Sequence, residues 1–138
     1  MRGLITDPSA SGGLRLADDP APEPGSSEVV VAVHAFSVNR GELKLLNARS
    51  DGWQPGQDIS GVVVAAAQDG TGPAEGTRVV GIVDGAGWSE QVSVKLNRLA
   101  PIPGSVGHEG AASLPVAGLT ALRALGTGGP ILGRRVLV

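Results

Sequence analysis

Glu28-Val-Val-Val-Ala-Val-His-Ala-Phe-Ser-Val38 is the strongest β-strand candidate in this sequence. Valine packs well on a pleated surface, so the segment is predicted to be a strand, long enough to run past the wall of a barrel. Segments rich in Val and Ala follow at 59–67 and 78–83. Residues 88–94 alternate apolar and polar side chains, as a half-buried strand does. The sequence therefore predicts several short strands around one long strand.

The connections between these segments are rich in glycine and proline. The 22 Gly and 10 Pro residues follow no fixed period, which excludes collagen and repeat arrays. They separate short β-type segments instead, which is the pattern of an irregular barrel or sandwich. The turn at 9–13 lies between two such segments, 3–5 and 14–17, and predicts a short hairpin.

Helices and one last strand complete the prediction. Residues 41–47 predict one or two helical turns, and the Ala- and Leu-rich segments 108–113 and 116–125 predict two helices interrupted by Pro115. The final Gly133-Arg-Arg-Val-Leu-Val138 is typical of the first strand of a βαβ unit, which a glycine-rich phosphate-binding turn normally follows. We therefore expect a mainly β protein with short helices.

Composition excludes several classes of function. The chain of 138 residues is 41% hydrophobic, enough for a core, and its net charge of −2 gives no basic surface for nucleic acid. One Phe, two Trp and no Tyr leave few platforms for base stacking. The absence of Cys excludes disulfides and thiolate metal sites. No signal-peptide core or long apolar run is present in the sequence, so we expect a soluble, cytoplasmic protein with no membrane partner.

Four stretches together resemble one known family. Residues 35–42 are similar to A-x-S-V-N-x-x-D, and 56–63 to G-x-D-x-S-G-V-V. Residues 75–81 are similar to G-D-R-V-x-G. Residues 111–121 with 133–138 are similar to A-A-x-L-P-x-x-G-x-T-A followed by G-x-x-V-L-V. In this order and spacing the chain resembles the N-terminal, GroES-like catalytic domain of the medium-chain dehydrogenase/reductase superfamily, which is alcohol dehydrogenase-like, on its zinc-independent, quinone oxidoreductase-like side.

The resemblance implies a fold, a division of the chain and a reaction. Residues 1–113 are expected to form a GroES-like, partly open β-barrel on the substrate side. Residues 114–138 are expected to be the helix and strand that lead into a missing Rossmann domain, where most of an NADPH cofactor would bind. The implied activity is hydride transfer from the nicotinamide to a small quinone, enone or carbonyl substrate, with the isolated chain inactive.

The same resemblance argues against a catalytic zinc ion. The positions that align with the zinc ligands of zinc-dependent relatives are Asn39, Gln57 and Val116. Amides are poor zinc ligands and valine is none, so no three-ligand site is expected there. The two histidines, His34 in a strand and His108 at a helix start, are interpreted as ordinary structural residues.

Two residues are predicted near the nicotinamide, and a third is a catalytic candidate. The resemblance implies that Asn39 and Thr120 bind the cofactor, and Asn39 is also a candidate catalytic residue. An Asn that starts a turn and a helical Thr bonded to its own backbone are the alternatives. Asp58 is a catalytic candidate that either polarises a nearby donor or braces its loop.

Two further residues are candidates for the substrate pocket. Lys44 falls near a Tyr of the family that can donate to a substrate carbonyl, although an exposed helix Lys is the simpler interpretation. Trp53 either lines the cleft or anchors a Gly/Pro-rich loop, and the strand-borne Trp88 is interpreted as packing in the core or at an edge. Glu42 replaces the family's Asp and is one methylene longer.

Two other classes of function stay open. One is a non-catalytic GroES-like binding or scaffold module, because fold does not fix function. The other is the enoyl-reductase module of a polyketide-type synthase. When no other domain covers it, the apolar C-terminal segment 116–138 is expected either to associate with a second copy of the chain, giving a homodimer, or to be poorly ordered.

Overall fold

A computed structural model describes residues 1–46 and 48–137. The described residues form two small groups of strands and three helices, joined by turns rich in Gly and Pro. In chain order the elements are β1 (Arg2–Thr6), β2 (Leu14–Asp18), β3 (Glu28–Phe36), α1 (Arg40–Leu46), β4 (Asp58–Ala65), β5 (Arg78–Ile82), β6 (Gln91–Lys95), β7 (Leu99–Pro101), α2 (His108–Ala112) and α3 (Pro115–Gly126), with a 3₁₀ turn at Leu96–Arg98.

The main sheet is antiparallel and curls into a half-barrel, in the strand order β6-β3-β4-β5-β7. β3 lies between β4 and β6, which makes it the long central strand that the sequence predicts. Register shifts interrupt its pairing with β4 between Val30 and Val31 and between Val33 and Ala35, and such irregularities bend a strand. β1 and β2 form a separate hairpin across the predicted turn.

The core cluster is made mainly of valines that alternate along the strands, together with Ile59 and Ala67. Val29 and Val31 of β3 are fully buried, and so is Ile59 of β4. At the second register shift the strands approach so closely that a Cβ on Gly61 would lie 1.9 Å from the Ala32 carbonyl oxygen. Only glycine fits this position, because the backbone of the neighbouring strand occupies the space that a side chain would need.

The strands and helices predicted from sequence before residue 127 are confirmed, with shifted ends. Asn47, the predicted last residue of the first helix, lies outside the described residues. β3 ends at Phe36, two residues before the predicted Val38, because the chain leaves the sheet there to begin α1. Trp88 precedes β6 instead of lying within it. Pro115 opens α3 at its first turn, where a missing N–H breaks no hydrogen bond of the helix.

The predicted terminal strand is not formed in the residues that can be described. Residues 134–137 have no regular secondary structure, and Val138 lies outside the described residues. A strand is stable only when a neighbour satisfies its backbone N–H and C=O groups, and no strand pairs with this segment. None of the helices within 1–46 and 48–137 has the length and apolar character needed to cross a bilayer, and the cytoplasmic location stays a prediction.

Candidate functional site

A groove lies between the β5–β7 side of the half-barrel and α3. Its volume is about 920 Å³, which is in the range of small-molecule sites. Aliphatic side chains form most of its wall, among them Val80, Ile82 and Val116. Polar groups come from Gln57, Asn97, Arg98, Thr120 and Arg123. The groove is therefore suited to a mainly apolar small molecule that also carries polar atoms.

Asp58, at the start of β4, connects three segments beside this groove. Its carboxylate is fully buried. One oxygen, Oδ2, accepts hydrogen bonds from Ser37 Oγ at 2.6 Å and from Asn39 Nδ2 at 2.9 Å. The other, Oδ1, accepts from the backbone N–H of Val116 at 2.9 Å. A single side chain thus joins the end of β3, the start of α1 and the start of α3.

The contact with Val116 also caps α3. The residue before this helix, Leu114, makes no side-chain capping bond, and Pro115 has no N–H to offer. Asp58 therefore acts from β4 as the acceptor that an N-cap residue would normally supply. A negative charge in this position, near the positive end of the helix dipole, stabilises a helix.

Glu42 is a second buried carboxylate, one whose role sequence reasoning did not identify. It is fully buried in α1. Its Oε2 accepts from the backbone N–H of Asn39 at 2.6 Å, and its Oε1 from the backbone N–H of Gln57 at 2.7 Å. The first contact is that of a capping box, in which the side chain of the third helical residue accepts a hydrogen bond from the backbone N–H of the N-cap residue. The pattern Asn-x-x-Glu at 39–42 was the sequence signal for it.

Asn39 does not use its side chain as a helix cap. Its Nδ2 group instead donates toward Asp58 and, at 3.3 Å, toward Ser37 Oγ. A carboxylate accepts only, so the nitrogen of the amide must face Asp58. Among the described residues Oδ1 has no protein donor, and no buried polar side-chain atom lacks a partner. The Asn39 oxygen is therefore accessible and available to a ligand.

The three positions aligned with zinc ligands come together in space. Asn39 and Val116 both bond to Asp58, and Asn39 and Gln57 both bond to Glu42. Within the described residues no group of three or more His, Cys, Asp or Glu side chains is arranged to hold a metal ion. Two amides and an aliphatic side chain are a poor donor set for zinc.

The remaining predicted site residues lie apart from each other. Thr120 is on the exposed side of α3 and lines the groove. Lys44 lies on the exposed surface of α1, and neither it nor Trp53 lines the groove. The backbone N–H of Trp53 donates to Thr6 Oγ1 at 2.8 Å, and its carbonyl oxygen accepts from the Thr6 backbone N–H at 2.8 Å. The Arg49 guanidinium lies 5.5 Å from the centre of the Trp53 ring. These contacts anchor the loop to β1, the second of the two interpretations of Trp53.

Trp88 supports the site from the core. It is 4% exposed, and its indole N–H donates to the Ser37 carbonyl oxygen at 3.0 Å. The prediction of a core role is confirmed. Because Ser37 also bonds to Asp58, the indole helps to fix the segment that leads from β3 into α1.

The histidines are involved in a separate structural cluster. Ser60 Oγ donates to the Val79 carbonyl at 2.9 Å, so the 2.8 Å contact with His108 requires an N–H on His108 Nδ1. The other nitrogen, Nε2, then faces the Arg78 Nε–H at 3.5 Å. Burial, and then the charges of His34 and Arg78, lower the pKa of His108. The neutral ring is the form that fits.

Architecture and site together define a GroES-like class of domain, in which a curled antiparallel sheet presents an irregular, helix-capped end. Comparison with known proteins agrees. The family model of the alcohol dehydrogenase GroES-like domain matches residues 25–113. The chain belongs to this family, and the fold and the similarity to quinone oxidoreductases predicted from sequence are confirmed.

Individual relatives show the same similarity to oxidoreductases. The chain is 32% identical over 137 residues to a chloroplastic quinone oxidoreductase from Triphysaria versicolor, covering 91% of this chain and 42% of that protein. It is 32% identical over 112 residues to a trans-enoyl reductase from Botryotinia fuckeliana, covering 76% and 30%. A solved mycobacterial structure complexed with NADPH superimposes with a TM-score of 0.83 at 27% identity, covering 94% and 42%. The chain spans less than half the length of these proteins.

Proposed function

We propose that the chain is the substrate-side part of an NADPH-dependent, zinc-independent oxidoreductase of the quinone and enone reductase type. The observation that carries the proposal is the cluster of Asn39, Gln57 and Val116. Two buried carboxylates hold these positions in place beside an aliphatic groove. Hydride transfer needs the protein mainly to position the cofactor and to exclude water. An arrangement of amides and aliphatic side chains meets both needs.

We propose that the groove takes a nicotinamide ring. A carboxamide has one acceptor oxygen and two donor hydrogens. Gln57 and Thr120 line the groove, whereas Asn39 is not part of its lining but bonds to Asp58, which directly follows Gln57. Asn39 and Thr120 would hold the carboxamide, while the aliphatic wall would cover a face of the ring. When bound, the nicotinamide would supply the hydride. This chain would orient the acceptor substrate, for which Lys44 and Trp53 stay candidate contacts, and keep water out.

A second domain would supply most of the cofactor affinity. A micromolar complex needs about −8 kcal/mol, whereas two or three hydrogen bonds contribute about −3 kcal/mol at most. We therefore propose that residues from 114 onward face a nucleotide-binding domain, with residues 1–113 on the substrate side. The leucines of α3 support this, because Leu119 is 43% and Leu122 is 68% exposed.

Reduction of an enoyl thioester is the second candidate reaction. The similarity to the trans-enoyl reductase favours it, and the same cofactor position would serve both reactions. The two differ in the acceptor: a quinone takes the hydride into a conjugated ring, whereas an enoyl substrate takes it at the β-carbon of an extended chain.

A hybrid enzyme tests the proposal. Residues 1–138 would be joined to the part of the Triphysaria quinone oxidoreductase that this chain does not match, and NADPH binding would be measured first by fluorescence. NADPH oxidation would then be followed at 340 nm with a quinone, a simple enone and a crotonyl thioester. Turnover of the quinone or enone without added zinc supports the proposal, and preference for the thioester favours the second candidate. A hybrid that binds NADPH but reduces none of them contradicts both.

A further inference from the structure

Glu42 is the buried carboxylate that completes the capping box of α1 and also accepts a bond from Gln57. It is fully buried, and no cationic side chain in the described part of the chain forms an ion pair with it. An isolated buried charge is unfavourable unless hydrogen bonds replace its hydration. Glu42 has such bonds, and both of them go to backbone N–H groups of the candidate site.

Capping α1 explains only one of these bonds. The bond to Asn39 spans three residues and completes the capping box. The bond to Gln57 spans fifteen residues and contributes nothing to the helix. It connects α1 to the residue that immediately precedes β4. One side chain therefore sets the distance between two backbone segments that are far apart in sequence.

This distance determines whether Asn39 can reach Asp58. The Asn39 side chain extends from the N-cap position of α1, and Asp58 follows directly after Gln57. Their 2.9 Å hydrogen bond requires the two backbones to stay in their present relation. That hydrogen bond in turn leaves the Asn39 oxygen accessible. The Gln57 side chain, which lines the groove, depends on the same anchor.

We propose that Glu42 is a positioning residue, which fixes the backbones of Asn39 and Gln57 and thereby the direction of the Asn39 side-chain amide. A carboxylate is required because both of its partners are donors. Glutamine has one acceptor oxygen and one amino group, so it would place N–H against N–H at Asn39 or at Gln57. The inference rests on the proposed function only in assigning these two residues to a ligand; the positioning itself does not depend on it.

Aspartate at this position would separate the two contacts. Its side chain is one methylene shorter, and an acidic residue of either length can complete a capping box. In Glu42→Asp the bond to Asn39 would remain, whereas Gln57 would be out of reach. Glu90→Gln is the matched control, because Glu90 also accepts a backbone N–H bond, from Arg2 at 2.8 Å, on the exposed surface.

Amide hydrogen exchange and ¹⁵N NMR on the 138-residue chain test the proposal. In Glu42→Gln we expect the amide of Asn39 or Gln57 to exchange about 10-fold faster or more. The Asn39 side-chain NH₂ signals should move, while the core amides of Val31 and Val63 keep their relative protection. In Glu42→Asp only Gln57 should lose protection, and Glu90→Gln should change neither residue.

Two results would overturn the proposal. Unchanged Asn39 side-chain signals in a folded Glu42→Gln chain would show that Glu42 does not direct this amide. Equal loss of protection at Asn39, Gln57 and the core amides would assign Glu42 to general stability alone. If Glu42→Gln does not fold, Glu42→Asp provides the test. Loss of protection at Gln57 alone supports the proposal, and equal loss at Asn39, Gln57 and the core amides contradicts it. None of these measurements uses NADPH or a substrate, so a failed hybrid enzyme would not affect them.

Discussion

Replacing Asp58 with asparagine tests whether one carboxylate holds the site together. In the native protein Oδ2 serves Ser37 and Asn39, and Oδ1 serves the backbone N–H of Val116. Asparagine has a single side-chain oxygen. If that oxygen takes the Oδ2 position, the new amino group opposes the Val116 N–H. If the amide is flipped, the amino group opposes the NH₂ of Asn39. In both arrangements at least one partly buried donor loses its acceptor.

The expected magnitude follows from these contacts. A hydrogen bond to a charged group contributes about 1.5–3 kcal/mol, and a negative charge at a helix N-terminus adds about 0.3–1 kcal/mol. We therefore expect Asp58→Asn to lower the free energy of unfolding by about 3 kcal/mol. With an unfolding entropy of roughly 2.1 cal/mol/K per residue, this lowers the Tm of a chain of this length by about 10 °C.

Urea unfolding followed by tryptophan fluorescence, together with calorimetry, measures the effect. Trp88 is a suitable reporter because it lies next to Ser37 in the core. Asp18→Asn is the control, since Asp18 is exposed on β2 and substitutions of this kind usually change stability by about 0.5 kcal/mol or less. The reasoning is refuted if Asp58→Asn and Asp18→Asn unfold at the same urea concentration.

Three further predictions concern other parts of the molecule. Because the pKa of His108 is lowered in the folded state, the unfolded chain takes up the proton first as pH falls. Stability should therefore decline below about pH 6.5, and His108→Gln should flatten the change in urea midpoint between pH 7.5 and 5.5; an identical change in both proteins contradicts this. Gly61→Ala should cost about 3 kcal/mol or more, because its Cβ would overlap the Ala32 carbonyl. Gly110→Ala, in α2 with open space around it, should instead stabilise by roughly 0.5–1 kcal/mol in the same urea titration, and equal midpoints would disprove the steric argument. Calorimetric titration of the 138-residue chain with NADPH should show no measurable binding, and a micromolar complex would overturn the division of cofactor contacts proposed above.

Local patterns in the sequence were sufficient for most of the fold. Valine-rich segments separated by Gly and Pro predicted the strands, since burial on one face of a sheet imposes alternation. The Asn-x-x-Glu pattern also contained the start of α1. The sequence did not predict the exact end of β3, because Ser37 and Val38 are as compatible with a strand as with a turn. The predicted terminal strand failed for a related reason: its residues favour a strand, but strand formation needs a neighbour.

The description of the candidate site needed both the sequence motifs and the tertiary contacts. The motifs singled out Asn39, Asp58 and Thr120 as candidates, and residue chemistry argued against zinc. The same motifs could not show that Asp58 caps α3, because the two partners of that bond are 58 positions apart. Nor could they show that Glu42 is buried, since an acidic residue in the first turn of a helix is usually exposed.

The amino-acid sequence by itself determined the β-rich class of this protein, its family and the absence of thiolate ligands, because these follow from residue types and short-range spacing. Only the tertiary structure decided that Asp58 and Glu42, which form no ion pair within residues 1–46 and 48–137, would be buried, and which backbone and side-chain donors they would bind. The physical reason is that a hydrogen bond requires a donor–acceptor distance that is correct to within a few tenths of an ångström. For residues far apart in sequence, that distance is fixed only when their segments pack against each other.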